Sequence, residues 1–595
     1  MRSACFDKKK FYDAVSLFQT ELEGTKCALK SYSESFFDAF VARFHPRKKD
    51  SANYLILAKN CSSFERAFLE NCVKTNFFCA KKRAIAFRFL PSIFAEVKFA
   101  FSRLPYALFF IAGDNFFGFH IRFRDHSRGG FRTVLEKRTE KNDGRKEALL
   151  SECYELALLQ DIKNKDIPEG GSKASLFVGK YKNPLVAQKD FIEALLSLVA
   201  FPHSCEIVDY YKRQELLYLG PDENLSDEMI EWMAKKSESI RYPPKRAFIS
   251  GKKTAGIHHK KYGVTSWGLL ACLERVLRYL KIDPFKKPFT ISMTGGPDGD
   301  VGGNLILNLA LFYPESAKVV AIVDISGLLY DPEGLDFLQL SKLVDEKKTV
   351  KFYPLRSVSA FFFDRNTHLL HQMGKRAKKL TDVAAADLLH KFIHRTKVDF
   401  FIPCGGPPHA LKSENVSCCF DKKGRPFFRA IIEGANIYLS QSARSILEKK
   451  KVLIIKDSTA NKGGVIASSW EVLAELVLTD AEFMQYKPKL IAEILNRIWV
   501  AVTQEVDTIL WQHKKSGRPC SQLSDELSAR MQRRVCEIQK RLPKKLTQKE
   551  KKLFLEYCLP VLTKNFTSRL LKKIPENHMR ASIATLLANR AIYRF

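Results

Sequence analysis

Residues 289–324 consist of apolar stretches separated by a glycine-rich stretch, and this pattern predicts a strand, a glycine-rich turn, a helix and a second strand. Phe289–Thr294 is a short apolar and β-branched run, which is typical of a buried strand. Residues 295–303 are rich in glycine and predict a loop instead of regular structure. Residues 305–313 are apolar enough for a helix packed on a sheet, and 318–323 form the second predicted strand.

Three later apolar runs end in glycine or polar loops, as parallel strands do when their carboxyl ends line a ligand crevice. They are residues 398–402, 429–432 and 452–455. Upstream, 104–178 reads as short strands with glycine turns, including a half-buried strand at 117–123 and a helix at 149–160.

These patterns predict an α/β fold in two lobes, with helical additions at both ends. We divide the chain into a helical N-terminal region, 1–95; a substrate-binding α/β domain, 96–248; a Rossmann-type nucleotide-binding domain, 249–470; and a C-terminal helical region, 471–595, that packs back on the substrate domain.

The glycine-rich turn has the residue types that a dinucleotide requires. A pyrophosphate needs backbone N–H groups and a helix N-terminus aimed at it, and glycine lets the main chain come that close. Gly296, Gly299 and Gly302 are spaced one residue more widely than the common G-x-G-x-x-G motif. Asp324 ends the second strand, where a carboxylate can bind a ribose hydroxyl and repel a 2′-phosphate. The alternative is a turn that only joins a strand to a helix.

Three charged residues stand at predicted turns or strand ends. Lys173 follows a glycine pair and precedes a predicted strand at 174–178, so we expect it to lie close to the backbone and partly desolvated. Arg128 stands beside a double glycine that predicts a turn. Asp222 follows a strand-like segment and is a candidate for proton transfer. The alternatives are a turn lysine and a helix-capping aspartate.

Net charge and cysteine content limit the binding partners, metal sites and cellular locations that the sequence predicts. The 98 basic and 65 acidic residues give a net charge of +33, which attracts polyanions and leaves nucleic-acid binding open. Residues 501–595 contain 20 Lys plus Arg against 8 Asp plus Glu, which predicts either a polyanion-binding surface or a solvated helical face.

The 14 cysteines are scattered without a C-x-x-C pair, so we expect no metal site and a reducing, cytoplasmic location. No apolar run is long enough to predict a membrane span or a signal peptide.

Several ordered motifs resemble the large NAD-specific glutamate dehydrogenases of the glutamate, leucine, phenylalanine and valine dehydrogenase superfamily. The matching stretches cover about 104–595 and include GFHIRFRDHSRGGFR, KNKDIPEGGSK, YLGPDENLSDEMIEWM, TGGPDGDVGGN, IIEGANIYLSQSAR and KDSTANKGGVIASSWEVLAEL.

The resemblance implies a role for each matching residue. The implied catalytic residues are Lys173 and Asp222; the implied substrate-binding residues are Arg128, Lys163 and Ser468; the implied cofactor-binding residues are Thr265, Gly296, Gly299, Asp300, Val301, Gly302, Asp324 and Asn436.

The resemblance also implies NAD-dependent oxidative deamination of L-glutamate to 2-oxoglutarate and ammonium, and we expect a homo-oligomer. A cation at Arg128 and a hydroxyl at Ser468 favour glutamate, because members acting on apolar amino acids have apolar residues there. NAD is favoured over NADP, since no Arg or Lys follows Asp324 closely. Two alternatives stay open: a catalytically inactive scaffold that binds nucleic acid or has a structural role, and a dehydrogenase for another amino acid.

Overall fold

The computed structural model of the chain describes residues 7–23, 32–46, 50–96, 103–136, 148–200 and 206–593. The chain divides into two compact units. The first unit comprises the described residues of Met1–Ile257, with Ser468–Gln485 and Leu562–Ser582. The second unit comprises His258–Ala467, with Tyr486–Val561 and the described residues of Ile583–Phe595.

The first unit is built on an eight-stranded mixed sheet. Its strands are β1 (Cys72–Thr75), β2 (Ala84–Phe89), β3 (Ala107–Gly113), β4 (Phe116–Arg122), β5 (His126–Leu135), β6 (Gly170–Val178), β7 (Val208–Asp209) and β8 (Leu216–Pro221). The spatial order is β7-β1-β2-β3-β4-β6-β5-β8. Strand β5 runs parallel to both of its neighbours, β6 and β8, so the carboxyl ends of these three strands lie at one edge.

Helices cover both faces of this sheet. They are α1 (Lys8–Glu23), α2 (Glu34–Phe44), α3 (Ser51–Lys59), α4 (Ser63–Asn71), α5 (Ile93–Glu96), α6 (Leu149–Lys163), α7 (Pro184–Val199) and α8 (Asp227–Ser239). A phenylalanine-rich cluster joins α1, α2, α4 and α6 to one face, and a second cluster joins α7 and α8 to the other. Ser226 caps α8, accepting a hydrogen bond from the N–H of Met229 at 3.2 Å.

The region predicted as helical over 1–95 also supplies two strands to the sheet. Strands β1 and β2 are buried at every residue, because helices cover both faces of the sheet. A strand buried on both sides lacks the period-two pattern that identifies strands from sequence. The same cause makes β4 fully buried, where the sequence predicts a half-buried strand at 117–123.

The second unit contains a nine-stranded sheet. Its strands are β9 (Phe289–Thr294), β10 (Ala317–Val323), β11 (Gly327–Tyr330), β12 (Phe361–Asp364), β13 (Leu369–Gln372), β14 (Lys378–Lys379), β15 (Val398–Pro403), β16 (Phe428–Ile432) and β17 (Leu453–Ile455). The order is β14-β13-β12-β11-β10-β9-β15-β16-β17. The five strands β10, β9, β15, β16 and β17 are parallel, which confirms the parallel strands predicted from sequence.

Helices accompany this sheet and follow it along the chain. They are α9 (His259–Tyr262), α10 (Val264–Tyr279), α11 (Asp300–Phe312), α12 (Phe337–Asp345), α13 (Asp382–Asp387), α14 (Ile393–Arg395), α15 (Gln441–Lys449), α16 (Asp457–Ala460), α17 (Gly463–Val477), α18 (Asp480–Ser516), α19 (Cys520–Arg541), α20 (Gln548–Tyr557), α21 (Pro560–Lys573) and α22 (Glu576–Ile592). Residues 471–593 are mostly helical, and they divide between the two units. Their packing on the substrate domain stays a prediction. Across the residues that the structure describes, no helix combines the length and apolar character needed to cross a membrane.

The strand order gives the second unit a topological switch point at β9. From β9 the chain moves to β10 on one side and later returns to β15 on the other side. In open parallel sheets, the loops that leave the strands in opposite directions at such a point form a ligand crevice. The glycine-rich turn that follows β9 therefore lies where this fold binds ligands.

Candidate active site

Lys173 and Asp222 come together over Gly130, in the middle of β5. Lys173 lies in β6, Asp222 directly follows β8, and the Lys173 ammonium donates a hydrogen bond to the Asp222 carboxylate. Gly130 of β5 pairs with Lys173 on one side and Gly220 on the other. A Cβ atom on Gly130 would lie 2.6 Å from Asp222 Oδ2 and 3.2 Å from Lys173 Nζ. The two charged groups can meet because Gly130 has no side chain.

The electrostatics of the pair favour an ionised aspartate. Burial acts to raise the pKa of Asp222, but the charge and hydrogen bond of Lys173 outweigh it and lower the pKa of Asp222 overall. The backbone N–H of Glu223 also donates to Asp222 Oδ1 at 2.8 Å, and Arg132 adds positive charge. Lys173 is buried while Asp222 keeps an exposed edge, so the carboxylate can exchange protons with solvent.

Arg128 lies two residues before Gly130 and therefore on the same face of β5. It is 5% exposed, and its Nε has no hydrogen-bond partner among the described residues. Burial lowers the pKa of Arg128 to about 10, against the opposing charges of Glu169 and Glu471, so the guanidinium stays charged at neutral pH. A buried cation with an unused donor is suited to binding an anionic group.

Ser468 reaches the same place from α17. Its Oγ lies 3.2 Å from Ser250 Oγ, and both serines are fully buried. A Cβ on Gly220 would lie 3.0 Å from Arg128 Nη2 and 3.4 Å from Ser250 Oγ. The guanidinium and the serine pair thus converge over Gly220. Ser250 was not predicted as a site residue, because an isolated serine after an apolar run carries no local sequence signal.

Lys163 is the last residue of α6 and is buried. The next residue, Asn164, donates from Nδ2 to the carbonyl oxygens of Gly170 at 3.1 Å and Arg128 at 3.5 Å. Lys163 therefore lies beside the backbone that carries Arg128. The contacts bring Lys173 together with Asp222, and Arg128 together with Ser468, while Lys163 borders this group through Asn164.

The turns predicted beside Arg128 and Lys173 are wrong, since both residues lie inside strands, β5 and β6. The glycines next to them allow close packing and do not form turns. A Cβ on Gly129 would lie 1.6 Å from the Ser172 carbonyl oxygen, and one on Gly171 would lie 2.0 Å from the Asp161 nitrogen.

In the second unit, the glycine turn after β9 leads directly into α11. Gly295 has φ +85°, and a Cβ on Gly302 would lie 2.3 Å from the Gly295 carbonyl oxygen. Helix α11 begins at Asp300, earlier than the loop predicted over 295–303 allows, so Asp300, Val301 and Gly302 are helical. Gly299 is the N-cap residue and supplies no side-chain cap, which leaves the first backbone N–H groups of α11 suited to an anion.

Asp324 lies at the end of β10 and is buried. Its Oδ1 accepts hydrogen bonds from Ser326, through N–H at 2.8 Å and Oγ at 2.6 Å, and its Oδ2 accepts one from the Val350 N–H at 2.7 Å. The carboxylate therefore holds the backbone at Ser326 and Val350 in place. It also lies beside Gly296 of the glycine-rich turn. Asp298, a solvent-exposed residue of that turn, was not predicted; partial desolvation of its carboxyl group and the charge of Asp324 raise the pKa of Asp298.

Thr265 and Asn436 occupy the ends of neighbouring elements. Thr265 is in the first turn of α10, where the next residue, Ser266, donates from Oγ to the Val301 carbonyl at 2.8 Å. The first turns of α10 and α11 are thereby joined. Asn436 follows β16, and its Oδ1 accepts a hydrogen bond from Asn461 Nδ2 at 2.9 Å.

Comparisons with known proteins identify similar sequences and folds. The profile of the family described as Glutamate/Leucine/Phenylalanine/Valine dehydrogenase matches residues 255–515. The chain is 34% identical over 550 residues to the "Probable NAD-specific glutamate dehydrogenase" of Schizosaccharomyces pombe, covering 89% of this chain and 48% of that protein. It is 31% identical over 589 residues to the NAD-specific glutamate dehydrogenase of Saccharomyces cerevisiae, covering 94% of this chain and 52% of that protein.

The chain thus spans about half the length of these curated relatives. Among solved structures, the crystal structure of Plasmodium falciparum glutamate dehydrogenase has a similar fold. The TM-score is 0.50 at 17% sequence identity, and the match covers 89% of this chain and 96% of that one. This likeness confirms the predicted α/β fold class.

Proposed function

We propose that the chain, which is similar to the glutamate, leucine, phenylalanine and valine dehydrogenase family, catalyses NAD-dependent oxidative deamination of L-glutamate. The observation that carries the proposal is the Lys173–Asp222 hydrogen bond over Gly130, with Arg128 two residues away on the same strand face. Two strand residues span about 7 Å. That spacing suits a substrate whose reacting carbon and second carboxylate lie at opposite ends of a short chain.

In the proposed complex, basic side chains bind the two carboxylates of glutamate. Arg128 and Ser468 bind the side-chain carboxylate, and Lys163 binds the α-carboxylate. Fixing both ends orients Cα relative to Lys173 and Asp222, which removes much of the entropic cost of reaching the transition state. Arg128 suits this role because its buried Nε lacks a hydrogen-bond partner in the described part of the chain.

The reaction consumes one water and releases one proton. When NAD is bound, its nicotinamide supplies the acceptor for the hydride that leaves Cα. Water then adds to the resulting iminium carbon, while the Lys173 ammonium stabilises the charge that develops on the water oxygen. The released proton comes from the substrate ammonium, which must be neutral before the hydride leaves. Asp222 accepts a proton from the adding water and returns it to the amine; the C–N bond then breaks, and the amine takes the hydroxyl proton and departs as ammonium. The products are 2-oxoglutarate, ammonium, NADH and a proton.

The residues of the second unit that would hold NAD fit a dinucleotide. Gly296, Gly299 and Gly302 keep the turn free of side chains, and the backbone N–H groups of Asp300 and Val301, at the uncapped start of α11, would hold the pyrophosphate. Thr265 and Asn436 lie at neighbouring element ends. Asp324 and the exposed Asp298 place negative charge beside the turn, which disfavours the 2′-phosphate of NADP.

The direct test follows NADH formation by absorbance with L-glutamate and NAD. We expect Lys173→Ala to lower kcat by about 100- to 1,000-fold, the range that one donor stabilising a developing charge contributes. Lys180→Ala, an exposed lysine in the same unit, is the matched control and retains activity. A panel of other amino acids with NAD and NADP tests substrate and cofactor choice. Absence of glutamate turnover by the wild-type chain, or full activity of Lys173→Ala, contradicts the proposal.

We also propose a homo-oligomer in a cytoplasmic location. Helix α3 buries none of its residues, and Leu55 and Ile56 are 62% and 63% exposed, which supports an apolar contact with a second copy. Sedimentation of the wild-type chain and of Leu55→Asp measures the assembly. If both chains sediment as monomers, the homo-oligomer proposal is contradicted.

The scattered cysteines of the sequence support a reducing compartment, as the proposed cytoplasmic location requires. The relatives reported above are dehydrogenases, and none of them favours the nucleic-acid-binding alternative.

A further inference from the structure

A second group of buried side chains lies next to Arg128 in the first unit. His126 is two residues before Arg128 on the same face of β5, Glu169 directly precedes β6, and His578 is in the first turn of α22. Each offers one ligand atom, an imidazole nitrogen or a carboxylate oxygen, and these atoms all lie within 4.8 Å of one another. The three residues are 9%, 0% and 1% exposed.

Several polar atoms of this cluster lack partners. Both ring nitrogens of His126, Oε1 of Glu169 and Nδ1 of His578 are buried with no hydrogen bond to any residue that the structure describes. Buried polar atoms in folded proteins almost always have a partner, so a group of orphaned atoms sharing one space points to a ligand that they bind together.

The surroundings hold the cluster in a fixed arrangement. Glu169 Oε2 accepts a hydrogen bond from Ser469 Oγ at 2.7 Å, while its other oxygen is the orphaned one. The His126 and His578 rings lie 4.5 Å apart at 55°, and the Tyr218 ring packs edge-on against His126 at 5.3 Å. Partners of this kind orient ligands at metal centres.

We propose that His126, Glu169 and His578 bind one divalent transition-metal ion, with Zn²⁺ preferred. Two histidines and one glutamate form an established zinc donor set, whereas Ca²⁺ and Mg²⁺ prefer sites made of oxygen alone. Ligands about 2.1 Å from a tetrahedral ion lie roughly 3.4 Å from one another. The observed atoms, which lie within 4.8 Å of one another, would move closer by side-chain rotation when the ion binds.

The ion ties α22 to the strand that carries Arg128. His578 comes from the C-terminal part of the chain, and His126 and Glu169 flank the substrate-side strands β5 and β6. The site goes beyond the proposed function, because hydride transfer and water addition use other residues. The sequence gives no sign of it, since the three ligands are far apart along the chain and none is a cysteine.

The test uses the whole chain after dialysis against a chelator. Titration with Zn²⁺ and with Co²⁺ is expected to give one equivalent bound per chain, measured by elemental analysis, and a higher unfolding temperature with Zn²⁺. Bound Co²⁺ is expected to show d–d absorption without sulfur-to-cobalt charge transfer. Glu169→Gln and His578→Gln are expected to weaken binding by at least about 100-fold, since even outer-shell partners are worth about 10- to 100-fold.

His120→Gln is the matched control. His120 is also fully buried in β4 with both ring nitrogens lacking partners among the described residues, but it belongs to no such cluster. It is expected to leave the stoichiometry unchanged, as is Lys173→Ala, which separates this proposal from the catalytic one.

X-ray absorption on the Zn²⁺-loaded wild-type chain supplies a readout that requires no substitution. Two imidazole ligands and no sulfur are expected. Absence of a bound equivalent, sulfur in the coordination shell, or undiminished binding by the Glu169→Gln, His578→Gln double variant overturns the proposal.

Discussion

Lys173 donates a hydrogen bond to Asp222 across a strand to which neither residue belongs. The two side chains come from β6 and from the end of β8, and Gly130 of β5 lies between them. Their approach therefore depends on a third residue that has no reactive group. Any side chain at position 130 would occupy the space in which the ammonium and carboxylate meet.

Gly130→Ala is expected to lower activity while the chain still folds. Its Cβ would meet the ends of two movable side chains, Asp222 Oδ2 at 2.6 Å and Lys173 Nζ at 3.2 Å. Gly129→Ala is the comparison, because its Cβ would meet the Ser172 backbone oxygen at 1.6 Å. We expect Gly130→Ala to reduce kcat by about 10-fold or more, and Gly129→Ala to cost about 1–3 kcal/mol of stability.

Steady-state kinetics and urea unfolding measure the two glycine variants side by side. Unchanged kcat in Gly130→Ala would show that the hydrogen-bonded pair is not needed for turnover.

Arg128→Leu with Ser468→Val is expected to remove the preference for a second carboxylate. A hydrogen bond to a charged group contributes about 1.5–3 kcal/mol, so kcat/KM for glutamate should fall by about 10- to 100-fold for Arg128→Leu alone. Relative activity on an apolar amino acid of similar length should rise in the double variant. Retention of glutamate activity by the double variant would refute the assignment of Arg128 and Ser468.

Substitution of the turn glycines is expected to have graded effects on dinucleotide binding. A Cβ on Gly302 would lie 2.3 Å from the backbone oxygen of Gly295, whereas one on Gly299 would lie 3.3 Å from that of Gly296. Gly302→Ala should therefore displace the start of α11 and weaken NAD binding more than Gly299→Ala does. Isothermal titration with NAD measures both variants, and equal affinities would contradict a pyrophosphate site at this helix N-terminus.

Acid is expected to remove a stabilising contact between Glu482 of α18 and Arg569 of α21. The Arg569 hydrogen bond at 2.6 Å, with help from the Thr479 N–H at 2.8 Å, lowers the pKa of Glu482 to about 2 from 4.5. The lowered pKa means that the contact stabilises the fold above pH 4.5 and is lost as the pH falls toward 2.

Glu482→Gln should accordingly lower the free energy of unfolding at neutral pH by only ~0.5–1 kcal/mol, because the pair is partly exposed. Urea unfolding across the acid range should show the wild-type and variant curves converging as Glu482 becomes protonated. A constant difference at every pH would mean that its charge is not responsible.

The sequence predicted the parallel strands of the second unit well, because each is a continuous apolar run ending in a polar loop. It predicted the start of α11 poorly, because glycines lower helix propensity. Gly302 and Gly303 nevertheless lie inside the helix, where close packing against Gly295 and Pro297 leaves no room for a side chain. Local propensity cannot report such tertiary contacts.

The residues of the candidate site likewise divide into those that the sequence indicates and those that it does not. Lys173, Asp222 and Arg128 stand out in the sequence because each lies beside glycines or at the end of a strand-like segment, and their roles stay predictions until tested. Ser250, Glu169 and His578 carry no comparable signal, since their significance arises from positions reached through distant parts of the chain. The burial of β1 and β2 on both faces likewise removed the alternation by which strands are recognised.

Strand β5 presents His126, Arg128 and Gly130 at every second position. Replacing one of them changes one role, but inserting or deleting a single residue ahead of them would rotate the whole series to the opposite side of the sheet. Among related sequences, we therefore expect insertions and deletions in β5 to be rarer than substitutions.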